Sequence, residues 1–100
     1  MFTVLDTLDP ELPLDERALS KLRWRCRRGM LENDLFIERF FRRFGASLTT
    51  RQGLALSDLM NLSDNDLLDL QLGRQGLKQV DATLDRADVI EILAMLRDKL

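Results

Sequence analysis

Histidine is absent from this 100-residue sequence, and cysteine occurs once, as Cys26. Histidine is the commonest general base and metal ligand near neutral pH, and one thiolate cannot build a zinc site. The five glycines are scattered along the chain, so they do not form a phosphate-binding loop. These absences argue against an independent enzyme, and we expect no catalytic residues, no metal site and no stably bound cofactor.

Long apolar runs are missing as well. No segment approaches the ~20 apolar residues that a membrane helix needs, and residues 1–14 hold three acids without any lysine or arginine, unlike a signal or transit peptide. A lone cysteine, which cannot form an internal disulfide, is typical of a reducing compartment. We therefore expect a cytoplasmic protein, with an extended acidic arm over residues 1–14 and one domain over residues 15–100.

Basic residues are concentrated in one part of the chain. Nine basic and five acidic residues stand within residues 15–43, whereas the segments on either side are acidic and bring the net charge to −2. A local basic segment on an acidic protein predicts a surface for a negatively charged group.

Helical spacing dominates the first half of the domain. Asp15 is placed to cap a helix that begins near Glu16, and Gly29 ends or offsets that helix. A second helix is predicted from Met30 to Phe44, with Gly45 as its C-cap. The apolar residues at helical spacing are Leu19, Leu22 and Cys26 in the first helix, and Leu31, Leu35, Phe40 or Phe41, and Phe44 in the second.

Capping signals predict three further helices. Thr49 or Thr50 starts a third helix, and Ser63 caps a fourth that stops at Gly73. Asp81 is predicted to cap the last helix. With few strand signals, the sequence predicts an all-α fold, a compact bundle of about five short helices.

The basic run over residues 21–28 includes Trp24 and permits more than one interpretation. It can be a solvated helix face, or a surface of a small nucleic-acid-binding or antitoxin-like regulatory protein, with the aromatic ring available for stacking. The isoelectric point near 5.1 argues against nucleic-acid binding. A third interpretation, an acid–base enzyme that uses Glu32 and Asp34, would require activity on a small molecule without any protein partner.

The stretch WRCRRGMLENDLFIERFF resembles the signature of the SdhE family, the succinate dehydrogenase FAD assembly factors recognised by an RGxxE motif. Asn33 and Leu70 differ from the leucine and the tryptophan usual in that family. The positions that match the signature are Trp24, Cys26, Arg27, Arg28, Gly29, Met30, Glu32 and Asp34.

The resemblance implies a small five-helix bundle that promotes covalent attachment of FAD to the flavoprotein subunit of succinate dehydrogenase and, in bacteria, of fumarate reductase. It implies that Arg28 anchors a polar or anionic group, that Gly29 allows close approach, and that Glu32 orients residues of the client. Trp24, Arg27 and Asp34 complete the implied client-binding surface. FAD would be contacted only within the complex. Separately, the four-residue spacing of Arg28 and Glu32 predicts an ion pair if both lie on one helix.

Overall fold

Helices make up most of the structure, a computed structural model that describes residues 11–27 and 29–97. Within these residues there is no strand, and one isolated bridge joins Pro13 to Thr49. The all-α prediction is confirmed, with one short additional helix, α5. The α-helices are α1 (Glu16–Arg25), α2 (Leu31–Phe44), α3 (Thr50–Leu59), α4 (Asp64–Gln71), α5 (Leu77–Val80) and α6 (Ala87–Arg97), and 3₁₀ turns span Gly45–Ser47 and Ala82–Leu84.

Side-chain caps start three of the helices where the sequence predicts them. The Asp15 carboxylate accepts a hydrogen bond from the N–H of Ala18 at 2.7 Å, and the Ser63 hydroxyl caps α4 in the same way. Thr49 and Gln52 form a reciprocal capping box at the start of α3, with bonds of 3.2 and 3.0 Å. Because each cap satisfies backbone N–H groups that have no partner within the helix, these starts are locally encoded.

Gly73 stops α4, as predicted. Its φ of +75° lies in the left-handed region that favours glycine. The N–H of Arg74 donates to the carbonyl of Asp69 at 2.8 Å, and the N–H of Gly73 donates to the carbonyl of Leu70 at 3.2 Å. This pair of bonds is the Schellman arrangement that closes a helix C-terminus.

The prediction for the start of the last helix is wrong. Asp81 caps a short 3₁₀ turn instead, because its carboxylate accepts bonds from the N–H and the hydroxyl of Thr83. Asp85 then has a ψ of 68°, outside the helical range, so α6 begins only at Ala87. The short helix α5 follows Gly76, whose N–H donates to the side chain of Gln79.

The C-terminal helix α6 is the centre of the core. It packs against α2, α3 and α4, while α1 packs on α3. Leu70 on α4 is fully buried in this core. The other fully buried apolar residues are Cys26, Phe40, Leu48, Ala55, Leu56, Leu59, Leu67, Val89, Ile92 and Leu96.

The predicted apolar face of α2 is wrong at its first two positions. Leu31 and Leu35 are 66% and 58% exposed. The inner face follows a different helical stripe, which runs from Asn33 through Ile37 to Phe40 and Phe41. Because that stripe begins with a polar residue, hydrophobicity alone does not identify it. The core contacts of α2 decide which of the two stripes is buried.

Candidate functional site

The signature residues lie where the chain passes from α1 to α2. Helix α1 ends at Arg25, the buried Cys26 is its C-cap, and Gly29 and Met30 form a bend before α2. Met30 has extended backbone angles, φ −92° and ψ 119°, and α2 begins at the next residue. The predicted ion pair between Arg28 and Glu32 required one continuous helix, so the spacing argument for it does not hold. Arg28 itself lies outside the described residues.

An open groove of about 560 Å³ separates α1 from α2. This α1–α2 groove brings together three predicted site residues, Trp24, Arg27 and Asp34, but its lining does not include Gly29 or Glu32. Its lining residues are Ser20, Arg23, Trp24, Cys26 and Arg27 on the α1 side, and Asp34, Ile37, Glu38 and Phe41 on α2.

Two arginines and two aromatic rings meet at this groove. The guanidinium of Arg27 lies 5.3 Å from the ring centroid of Trp24, and that of Arg23 lies 5.5 Å from the centroid of Phe41. Both distances suit a cation–π contact, worth about 0.5–1 kcal/mol at an exposed site. Trp24 is nevertheless 72% exposed. A large ring left this open to water is a feature of interaction surfaces.

Glu32 and Gly29 are exposed beside the groove. Glu32 stands in the first turn of α2, where a carboxylate interacts favourably with the positive end of the helix dipole. A Cβ atom built at Gly29 would have nothing within 4 Å. Packing within the described residues therefore does not require glycine at this position.

Asn33, between the two acids of the signature, is fully buried and ties α2 to α4. Its side-chain N–H₂ donates to the backbone carbonyl of Asp64 at 2.9 Å, and its side-chain oxygen accepts from Gln71 at 2.6 Å. The Oε1 atom of Gln71 is buried with no hydrogen-bond partner in the described part of the chain. This contact was not predicted from the sequence. The signal that could have indicated it is a polar residue on the same helix face as Ile37 and Phe40.

The described cations of the basic run, Lys21 to Arg27, do not lie on a single face. Arg25 turns to α3 and donates to the hydroxyl of Ser57 at 2.7 Å and to the side-chain oxygen of Asn61 at 2.8 Å. Lys21 lines a separate apolar groove between α1 and α3. Of the described cations in this run, Arg23 and Arg27 alone line the α1–α2 groove. The described part of the run therefore does not form the continuous basic stripe typical of nucleic-acid binders.

Comparison with known proteins identifies the family. Residues 20–99 match the family model described as the flavinator of succinate dehydrogenase. The chain belongs to this family. Three relatives of the flavinator family, each named FAD assembly factor SdhE, are similar over much of their length. The protein from Ralstonia nicotianae is 45% identical over 83 residues, which cover 83% of this chain and 84% of that protein.

The other two relatives are more distant. The Coxiella burnetii protein is 43% identical over 56% of this chain and 68% of its own length, and the Legionella pneumophila protein is 31% identical over 85% of this chain and 98% of its own length. No solved structure matches the chain significantly. The relatives are named as assembly factors, which confirms the prediction that this chain is not an enzyme. Across residues 11–27 and 29–97, no helix combines the length and the apolar character needed to cross a bilayer.

Proposed function

We propose that this protein docks on the flavoprotein subunit of succinate dehydrogenase and promotes covalent attachment of FAD to it. Membership of the flavinator family supports this function. The docking site is supported by one observation: several signature residues are exposed and do not pack in the core. Gly29 has open space where a side chain would stand, Glu32 is exposed, and Trp24 is 72% exposed.

The signature residues have separate roles in this proposal. Gly29 lets the client backbone approach, and Glu32, in the first turn of α2, accepts hydrogen bonds from the client. Trp24 is covered on docking, and Arg27 and Asp34 supply polar contacts from the two sides of the groove. Arg28, which lies outside the described residues, is assigned the anionic contact from the family signature alone.

The chemistry of FAD attachment belongs to the client in this proposal. A histidine of the client forms the bond to the 8α-methyl carbon of the flavin, which is consistent with an assembly factor that has no histidine. This protein stabilises a client conformation competent for that reaction, so it acts by shifting a population of states. It contacts FAD only within the complex, and the flavoprotein subunit of fumarate reductase is a second client.

Covalent flavin incorporation tests the proposal directly. The apo flavoprotein subunit is incubated with FAD alone, with this protein, or with its Glu32→Ala variant, and in-gel flavin fluorescence is followed over time. Glu16→Ala is a matched control, because Glu16 is also an exposed glutamate in the first turn of a helix. We expect this protein and the control to accelerate labelling, and Glu32→Ala to lose about tenfold or more in rate, as for a hot-spot contact.

Equal labelling in all samples would refute the proposal for that client. Circular dichroism of both variants shows whether a loss of activity reflects unfolding. The same series with the fumarate reductase subunit tests the second client independently.

A further inference from the structure

The two sides of the α1–α2 groove carry opposite charges. Arg23 and Arg27 stand on the α1 side, and Asp34 and Glu38 stand on α2. Asp34 and Glu38 are four residues apart, so they share one face of the helix. The floor between the two sides is apolar, because the buried residues Cys26, Ile37 and Phe41 line the groove there.

Both arginines on the α1 side are held against aromatic rings. Each guanidinium lies over an aromatic ring, Arg23 over Phe41 and Arg27 over Trp24, and within the described residues neither forms an ion pair with a carboxylate. Stacking uses the flat face of a guanidinium and leaves its in-plane N–H groups available for a carboxylate. Because the rings already restrict these long side chains, less side-chain entropy is lost on binding.

The carboxylates on the α2 side select the kind of partner. Glu38 has one described ion-pair partner, Arg42, at 3.5 Å, and both side chains are largely exposed. This exposed pair is weak enough to exchange for a partner's cation. A nucleic-acid backbone would bring phosphates next to Asp34 and Glu38 and be repelled, whereas a polypeptide can present both charges and an apolar side chain between them.

We propose that the α1–α2 groove binds a polypeptide segment of the client flavoprotein that presents an acidic residue to Arg23 and Arg27 and a basic residue to Asp34 and Glu38. An apolar side chain between the two charges rests on the floor formed by Ile37 and Phe41. This inference rests on the proposed function, and it adds Arg23 and Glu38 to the docking surface as residues that select the client.

Charge reversal measures the contribution of the basic side. The affinity of the apo flavoprotein subunit is compared for the unmodified protein, the double variant Arg23→Glu/Arg27→Glu, Glu32→Ala, and the control Lys21→Glu. Lys21 is exposed on the same helix but lines the groove between α1 and α3. Its substitution by glutamate changes the net charge by the same amount as each arginine substitution. We expect the double variant to lose about 30-fold or more in affinity, and the control to stay within about threefold.

Cross-linking identifies the segment that occupies the groove. In Arg23→Lys/Arg27→Lys, a zero-length carbodiimide reagent joins the new amines to carboxylates that touch them. We expect mass spectrometry to find both positions linked to Asp or Glu of one client segment, with the native Lys21 not linked to that segment.

The outcomes separate this inference from the proposed function. Loss of binding in the double variant, together with links to one acidic segment, supports the groove. Normal binding by the double variant with weak binding by Glu32→Ala leaves docking intact and overturns the groove. Absence of binding by the unmodified protein overturns both. If the double variant loses affinity for a single-stranded oligonucleotide but not for the client, the polypeptide assignment is wrong.

Discussion

The first turns of α2 carry two polar sites that differ in burial and in hydrogen bonding. Asn33 is fully buried and hydrogen-bonded to α4, whereas Glu32 and the groove residue Asp34, its neighbours in sequence, lie on more accessible faces. The inner site fixes where α2 sits on the core, and the outer site carries charge on the proposed docking surface. Consecutive residues of one signature can therefore serve the fold and the docking surface separately, because a helix turns by about 100° per residue.

The largest effect on stability is expected from breaking the inner site. Asn33→Leu leaves the buried amide of Gln71 with neither of its polar atoms paired within the described residues, which should lower the free energy of unfolding by about 2–4 kcal/mol. Urea denaturation followed by circular dichroism measures this loss.

A double variant sharpens the same test. Asn33→Leu/Gln71→Leu removes both buried amides, so it should recover at least about 1 kcal/mol relative to the sum of the two single changes. Strict additivity of the two changes would show that the bond between them does not couple α2 to α4. Glu32→Ala, on the outer side, should stay within about 0.5 kcal/mol of the unmodified protein.

Two glycines give the next comparison. Gly73→Ala places a side chain at a φ of +75°, where it would also meet the Arg97 guanidinium at 3.1 Å, so we expect a loss of about 1–2 kcal/mol in stability. Gly29→Ala meets nothing within 4 Å and should leave stability within about 0.5 kcal/mol. In the client-binding assay the order reverses, with Gly29→Ala weaker by about tenfold if the client backbone approaches there. Unchanged binding by Gly29→Ala would remove this residue from the contact surface.

Arg25 and Arg27, two residues apart, should also differ in role, with smaller effects. Arg25 should matter mainly for stability, and Arg27 mainly for client binding. Arg25→Ala breaks the hydrogen bonds to Ser57 and Asn61 and should cost about 1 kcal/mol of stability, reduced from the buried value by exposure. Arg27→Ala loses one exposed cation–π contact, so we expect about 0.5 kcal/mol or less, together with weaker client binding. Thermal unfolding and the binding assay, run on both variants, distinguish these roles. Equal losses of client affinity would contradict the separation.

The smallest effect is expected at an exposed polar bond outside the α1–α2 groove. The hydroxyl and the N–H of Thr83 hold the pKa of Asp81 below its ordinary value of 3.8. A lowered folded-state pKa gives stability that is present above the ordinary value and is lost as the pH falls through the folded value. The difference in melting temperature between neutral and acidic pH should therefore be slightly smaller for Asp81→Asn, whose amide oxygen still accepts these bonds without titrating. An equal difference would show that this bond does not contribute to acid sensitivity.

Four helix starts and stops were predictable because they depend on a few neighbouring residues, although the start of α6 was not. Asp15, Thr49, Ser63 and Gly73 each act through bonds within their own segment. The orientation of α2 was not predictable in this way, because Leu31 and Leu35 are as apolar as the residues that the core selects. Only packing against α4 and α6 decides which stripe is buried.

The candidate site was predictable in part. The signature indicated the connection between α1 and α2, and the structure brings Trp24, Arg27 and Asp34 to one groove there. Arg23 and Glu38 were missed as members of this groove, because neither is among the matching positions of the signature and each needs the opposite helix to complete its surroundings. The spacing argument for an ion pair between Arg28 and Glu32 does not hold, because Met30 has extended backbone angles and α2 begins only at Leu31. The pair itself is not tested, since Arg28 lies outside the described residues.

Trp24 also dominates the intrinsic fluorescence of the protein. It is the single tryptophan, and the chain contains no tyrosine, so the near-ultraviolet emission arises from one ring at the rim of the α1–α2 groove. Since that ring is already 72% exposed, unfolding changes its surroundings little. In the proposed complex, the client would cover this ring or bring it near a flavin that absorbs its emission, and either change would alter the emission strongly. If the client docks as proposed, Trp24 is a native fluorescent probe that responds to docking far more than to folding.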